Sequence, residues 1–197
     1  MFRRGDVGYG GESPEDFWGA LRGVWFDPVR FFRGLDPRGG VIRPAIFASV
    51  VLYLDLLLEA VLQMLWLREF NYALIYAPFL GLVVAIVLAP LLVTGLAVLV
   101  LVILGGGTLS RGGFGPLFRS LGYASGIGFA LWIPFVPLLA VPYGAFVATV
   151  AVKETMNVSS ARAAAATLIP LGAVLLTVLA LLGPDKAAGF LINPPGS

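Results

Sequence analysis

The sequence has no histidine and no cysteine among its 197 residues. Without cysteine there is no disulfide, no thiolate metal site, no cysteine nucleophile and no palmitoylated thiol. Without histidine there is no Ser-His dyad and no zinc site of the HExxH type. The glycine-rich stretch at 105–115 also lacks the Gly-Lys-Ser/Thr ending of a phosphate-binding loop. These absences predict a protein that is not an enzyme and that uses no metal or cofactor.

Charged residues are also scarce. They make up 12% of the chain, which is about half of their usual share in soluble domains. Hydrophobic residues make up 59%, and the net charge of +2 is too small to indicate a nucleic acid partner. The first 40 residues contain no apolar run long enough for a cleavable signal peptide. The composition predicts an integral membrane protein whose first partner is the lipid bilayer.

Long apolar runs predict an all-α fold with five transmembrane helices, since a bilayer requires about 20 apolar residues per helix. Residues 44–67, 77–104 and 161–182 each fit one span, and we expect kinks at Pro90 and Pro170. Residues 117–152 are too long for one helix. We interpret them as two spans joined by a tight hairpin at Pro134 and Pro137.

The chain divides into four regions on this interpretation. Residues 1–12 are expected to form a disordered N-terminal arm, and residues 13–42 two short cytoplasmic helices with starts at Ser13-Pro14 and Asp27-Pro28. Residues 43–183 form the five-span membrane domain, and residues 184–197 a short external tail.

Aromatic residues beside arginines mark both short helices. This pattern is typical of helices that lie in the lipid headgroup region, where apolar area and attraction to anionic lipid act together. Docking of the same residues onto the protein's own core is the alternative. The predicted interfacial anchors are Trp18, Trp25, Phe31, Phe32, Arg30 and Arg33.

Basic residues decide between four and five spans. With five spans and an internal N-terminus, 11 of the 13 lysines and arginines face the cytoplasm, whereas with four spans 10 do. The positive-inside rule therefore favours five spans, with the N-terminus cytoplasmic and the C-terminus external. Eleven arginines against two lysines are typical of a GC-rich prokaryotic genome, which points to the prokaryotic cytoplasmic membrane.

Asp55 and Glu59 interrupt the first apolar run. They lie four residues apart and therefore on one face of a helix, and Gln63 extends this polar cluster by one turn. A carboxylate inside a bilayer is costly. The pair is interpreted as a buried polar cluster that hydrogen-bonds to neighbouring hydroxyls, as a proton or cation site, or as a contact site for a membrane partner. The candidate hydroxyls are those of Ser49, Thr94, Tyr123, Ser125 and Thr149.

Small residues recur at helix-packing spacing after residue 120. Gly122, Gly126, Gly128 and Gly144 allow two helix backbones to approach closely in lipid. The same face is suited to packing within the chain or to the formation of a homo-oligomer.

Four features occur together in the chain: the segment Asp27-Pro-Val-Arg-Phe-Phe-Arg33, a proline-led first span that carries an acid, the segment Phe118-Arg-Ser-Leu-Gly-Tyr-Ala124, and the turn at 152–163. They resemble the Yip1-domain family of polytopic membrane proteins, and the resemblance spans most of residues 25–182. It implies five spans with a cytoplasmic N-terminus, and eukaryotic members of the family are associated with vesicle traffic and prenylated Rab-type GTPases. The cytoplasmic arm of this chain is short and has no evident folded docking segment.

The function predicted from the sequence is therefore non-enzymatic. We expect a membrane organiser or a module that binds a membrane-protein partner or a second copy. The alternative is a small secondary transporter or channel that uses Asp55 and Glu59 as its proton or cation site.

Overall fold

The computed structural model describes residues 16–36, 39–67, 72–105 and 113–182. Within these ranges every regular element is helical, so the predicted all-α class is confirmed there. The predicted arm at 1–12 and the tail at 184–197 lie outside the described residues. The elements are α1 Phe17–Phe26, α2 Pro28–Arg33, α3 Ile42–Leu67, α4 Tyr72–Leu104, α5 Phe114–Ala124, a 3-10 helix Ser125–Ala130, α6 Pro137–Met156 and α7 Ser160–Leu182.

Aspartates begin both short helices. The Asp16 carboxylate accepts a hydrogen bond from the Gly19 amide at 2.7 Å, and α1 starts one residue later. Asp27 caps α2 in the same way through the Arg30 amide, and Pro28 occupies the first helical position. The start of α2 agrees with its sequence pattern. The predicted cap of α1 at Ser13-Pro14 lies outside the described residues, and the described cap is Asp16.

Three of the described helices are long and apolar enough to cross a membrane. They contain the windows Ile42–Leu65, Pro78–Leu104 and Pro137–Met156. This number is smaller than the five spans predicted. The helix α3 begins two residues before the predicted span, α4 begins five residues before it, and α7 begins one residue before it.

The predicted span after residue 117 is not a single α-helix. The helix α5 has only 11 residues, and the chain then tightens into the six-residue 3-10 helix. The chain turns at residues 131–136, where Phe135 adopts a positive φ of 66°, and α6 starts at Pro137. A Cβ atom on Gly144 would lie 3.4 Å from Ile127, so the two arms fold back on each other. We call residues 114–156 the α5–α6 hairpin.

Two apolar clusters form the core. The first packs α1 and α2 against α3, the 3-10 helix and α6, through residues that include Leu21, Val24, Phe32, Phe47 and Ile127. The second joins α4 to α3, the hairpin and α7, and small residues such as Ala48, Ala89, Ala97, Ala163 and Ala166 let these helices approach closely.

The helix α4 buries only one narrow stripe. Ala85, Ala89, Val93, Ala97 and Val100 follow helical spacing and are buried. Large apolar side chains cover the rest of this helix and are exposed, including Phe79, Val83, Ile86, Val87, Leu91, Leu92, Leu99 and Val102. This exposed apolar face runs along most of α4.

Candidate functional site

Asp55 lies beside the turn of the α5–α6 hairpin. It is half-buried on α3, and the backbone N–H of Trp132 faces its carboxylate. The Oδ1 atom of Asp55 is buried without a hydrogen-bond partner, and so is the indole Nε1 of Trp132. One acceptor, Asp55 Oδ1, and one donor, Trp132 Nε1, therefore lack a hydrogen bond at the hairpin turn. Native proteins rarely leave buried polar groups in this state unless water, an ion or a proton satisfies them.

The other two members of the predicted polar cluster have a different environment. Glu59 and Gln63 are exposed on the next turns of α3. The Gln63 amide donates a hydrogen bond to the Glu59 carboxylate at 3.2 Å. The three side chains thus share one helix face, but only Asp55 contacts the hairpin turn.

The hydroxyl partners expected for these acids are not found. Ser125 donates to the Gly122 carbonyl at 2.6 Å, while Thr149 donates to the Ala145 carbonyl and lies 2.8 Å from the Thr167 hydroxyl. Ser49, Thr94 and Tyr123 likewise form no hydrogen bond with Asp55 or Glu59. The expectation was wrong because serine and threonine hydroxyls on a helix readily bond to carbonyls of the preceding turn.

The predicted N-terminal anchors divide into a docked set and an exposed set. Trp25 donates from Nε1 to the Gly126 carbonyl at 3.0 Å, and the Tyr143 hydroxyl donates to the Trp25 carbonyl at 2.6 Å. Phe32 is buried, and Phe31 packs edge-on against Tyr123 with ring centres 5.6 Å apart. Trp18, in contrast, is 62% exposed.

The two predicted arginine anchors also differ. Arg33 forms an ion pair with Glu154 of α6, with Nε 3.1 Å from the carboxylate. The hydrogen bond and the charge of Glu154 raise the pKa of Arg33. Arg30 lies one turn earlier on α2 and is exposed. One arginine therefore ties α2 to the end of the hairpin, and the other faces outward.

All four predicted packing glycines lie against another part of the chain. A Cβ atom on Gly122 would lie 2.9 Å from Cβ of Pro44, and one on Gly126 would lie 3.1 Å from the Phe47 ring. Gly128 faces Val51 at 3.6 Å, and Gly144 faces Ile127. Three of the four therefore set the approach of the hairpin to α3.

An apolar groove of about 550 Å³ lies between α3 and α4. It begins at Val41 and Ile42, continues past Ser49 and Tyr53, and is closed on the other side by Leu82, Ile86 and Pro90. Its lining is mostly apolar and suits a hydrocarbon chain. Within the described residues there is also no group of three acidic side chains placed to hold a metal ion.

Arg119 is a residue whose burial the sequence interpretation missed. It was counted only as a cytoplasmic charge, yet it is 4% exposed, and its Nε and Nη2 atoms have no hydrogen-bond partner. A signal was present, because residues 119, 122 and 126 follow helical spacing and the two glycines mark a buried face.

A family model described as the Yip1 domain matches residues 22–182, from within α1 to the end of α7. No curated protein and no solved structure matches the chain significantly.

Proposed function

The chain belongs to the Yip1 domain family, and from this membership we propose that it is an integral membrane protein that acts without catalysis. It organises the membrane or binds another membrane protein. The side chains described above supply no nucleophile with an adjacent base, and the polar groups at the hairpin turn are those of a structural or binding site.

The exposed apolar face of α4 is the observation that carries this proposal. Phe79, Val83, Ile86, Leu91 and Val102 are exposed along α4, and none of them is buried by the part of the chain that the structure describes. A soluble monomer rarely exposes a contiguous apolar surface of this extent, because each Å² of apolar area exposed to water costs about 25 cal/mol. Lipid tails cover such a face at no cost.

Five membrane crossings remain our proposal for the topology. The α5 and 3-10 helices together rise roughly 28 Å, which is close to the thickness of a hydrocarbon core, about 30 Å. The 23 residues of α7 rise roughly 35 Å. With the basic residues on the inner side, the N-terminus is cytoplasmic and the C-terminus external. The arginine-rich composition supports a prokaryotic cytoplasmic membrane.

The short helices α1 and α2 lie at the cytoplasmic membrane surface in this proposal. One face of this pair is docked on the core, while Trp18, Phe26, Arg22 and Arg30 are exposed on the other. Exposed aromatic and basic side chains on one surface are suited to the headgroup region. This surface is also where a partner protein or a second copy would bind.

Membrane extraction and topology reporters test the proposal. The full chain should stay in the membrane pellet after alkaline carbonate washing and should need detergent for solubility. A reporter fused after Ser197 should be active on the external side, and one fused at Met1 on the cytoplasmic side. A chain that is monodisperse in buffer without detergent would disprove membrane integration, and a cytoplasmic C-terminal reporter would disprove five spans.

A proton or cation transporter is the second candidate, and one observation favours it. The unpartnered Oδ1 of Asp55 lies at the hairpin turn in a half-buried position, where an ionisable group within a membrane often marks an ion pathway. Purified protein in liposomes should dissipate a proton gradient if this is the function, and Asp55→Asn should abolish the flux.

A further inference from the structure

Arg119 is a buried cation with an unfilled hydrogen-bonding edge. The residue lies on α5 and is 4% exposed, and both Nε and Nη2 are buried without a partner. A buried guanidinium with unmade hydrogen bonds is destabilising unless something compensates it. Such a group therefore indicates a site for a ligand.

The two unpartnered nitrogens define what kind of ligand fits. Nε and Nη2 lie on the same edge of the planar guanidinium and direct their N–H groups in parallel. This edge binds two oxygens of one anion at once, and it is the reason that arginine is preferred for phosphate and carboxylate recognition.

Charged groups of both signs lie near Arg119. Asp36 is close enough for electrostatic interaction with Arg119, and Tyr123 lies near both Arg119 and Arg43. Among the described residues no ion pair involves Arg119, so its charge is available to an anion.

Gly39 covers the face of the guanidinium. A Cβ atom at this position would lie 2.6 Å from Cζ, Nη1 and Nη2 of Arg119, which is closer than any side chain tolerates. The Gly39 backbone therefore lies so close to the guanidinium group that only glycine fits at this position without moving it. The Nε and Nη2 atoms of the same group have no hydrogen-bond partner.

We infer that Arg119 binds a phosphate group through its Nε and Nη2 atoms. The phosphate is either that of an anionic phospholipid headgroup or free inorganic phosphate, which share the same recognition chemistry. The apolar groove between α3 and α4 begins at Val41, two residues after Gly39. This proximity to a hydrocarbon-sized groove makes the lipid the source that we favour.

Thermal unfolding of the full chain in a phosphate-free non-ionic detergent tests this inference. Inorganic phosphate should raise the Tm relative to chloride at equal ionic strength, and so should phosphatidylglycerol added without free phosphate. Arg119→Gln should remove both shifts. Arg162→Gln removes the same charge from an exposed position outside α1 and α2 and should keep them. The phosphate arm requires no bilayer, so it can succeed even if the proposed membrane function fails.

Two further variants keep the positive charge at position 119. A Tm shift that is lost in them therefore cannot be attributed to misfolding caused by removal of that charge. Gly39→Ala places a methyl group where the guanidinium lies and should displace it. Arg119→Lys replaces the two parallel donors with a single ammonium. Both should weaken the Tm shift. A shift that remains in Arg119→Gln and Gly39→Ala, or its absence in the parent chain with both phosphate and phosphatidylglycerol, would overturn the inference. A shift with inorganic phosphate alone would support the site and identify its ligand as free phosphate.

Discussion

The Tyr143 hydroxyl donates a hydrogen bond to the Trp25 carbonyl, with 2.6 Å between the two oxygens. These residues are 118 positions apart in the sequence. The Trp25 indole in turn donates to the Gly126 carbonyl on the opposite arm of the hairpin. One residue of α1 therefore touches both arms of the α5–α6 hairpin.

Tyr143→Phe should loosen this attachment. The change leaves the Trp25 carbonyl without its donor, which should cost about 1–3 kcal/mol of stability. The expected result is a lower Tm in detergent and faster proteolysis between α2 and α3. Tyr53→Phe removes a hydroxyl for which the structure gives no hydrogen bond, and it should change neither quantity. Equal Tm values for the two variants would show that the hydrogen bond contributes nothing.

Exchanging the charges of Arg33 and Glu154 tests whether the attraction between the two side chains stabilises the fold. Arg33→Glu places two carboxylates together and should lower the Tm, whereas adding Glu154→Arg should restore it. Since the Arg33 side chain is 68% exposed, the Tm differences of both variants should become smaller as the salt concentration rises.

The same pair should give no pH dependence near neutrality. Glu154 raises the pKa of Arg33, so the stabilising effect of the ion pair is present below the arginine's unfolded pKa and is lost only as the pH rises through the higher folded value.

For the charge exchange, Arg30→Glu serves as the control, because it changes an exposed arginine on the same helix. If the double exchange failed to recover stability, the ion pair would be incidental.

Gly122→Ala should force α5 away from α3. The new methyl carbon would lie 2.9 Å from Cβ and 3.1 Å from the backbone oxygen of Pro44, neither of which rotates out of the way. We expect a loss of about 1–3 kcal/mol, as for other overpacked sites. Gly128→Ala meets Val51 only at 3.6 Å and should be tolerated. Denaturation in mixed micelles would measure both, and similar losses would disprove the specific contact with Pro44.

Asp55→Asn should preserve or raise stability if the protein is not a transporter. Neutralising the side chain removes the cost of a half-buried carboxylate whose Oδ1 has no partner, a gain on the order of 1 kcal/mol. Glu59→Gln changes an exposed side chain and should have little effect. Tm values and proton flux in liposomes should be measured together. A flux in the parent chain that Asp55→Asn abolishes would favour the transporter.

The long helices could be predicted from the sequence because uninterrupted apolar runs leave few alternatives. The predicted and observed bounds of α3 and α7 differ by two residues or fewer at their starts. The segment after residue 117 was harder to predict. Glycine and proline occur there at short intervals, and hydropathy alone does not distinguish an α-helix from an α-helix that tightens into a 3-10 helix.

The candidate site depended on contacts that the sequence does not encode locally. An apolar stripe beside arginines on α1 is equally suited to lipid and to a protein core, and the hydrogen bond between Trp25 and Gly126 decides that Trp25 faces the core. The burial of Arg119 under Gly39 similarly depends on a linker 80 residues away. The spacing of apolar and small residues identified the helix faces that are covered, but it did not identify the residues that cover them.

The two hydrogen bonds of Trp25 impose an order on biosynthesis. Trp25 is synthesised 101 residues before Gly126, so α1 is complete while α3 and α4 are still being made. The contacts of α1 with the hairpin cannot form until both arms of the hairpin have been made. Docking of α1 is thus a late step of assembly, although α1 is the first helix to be synthesised.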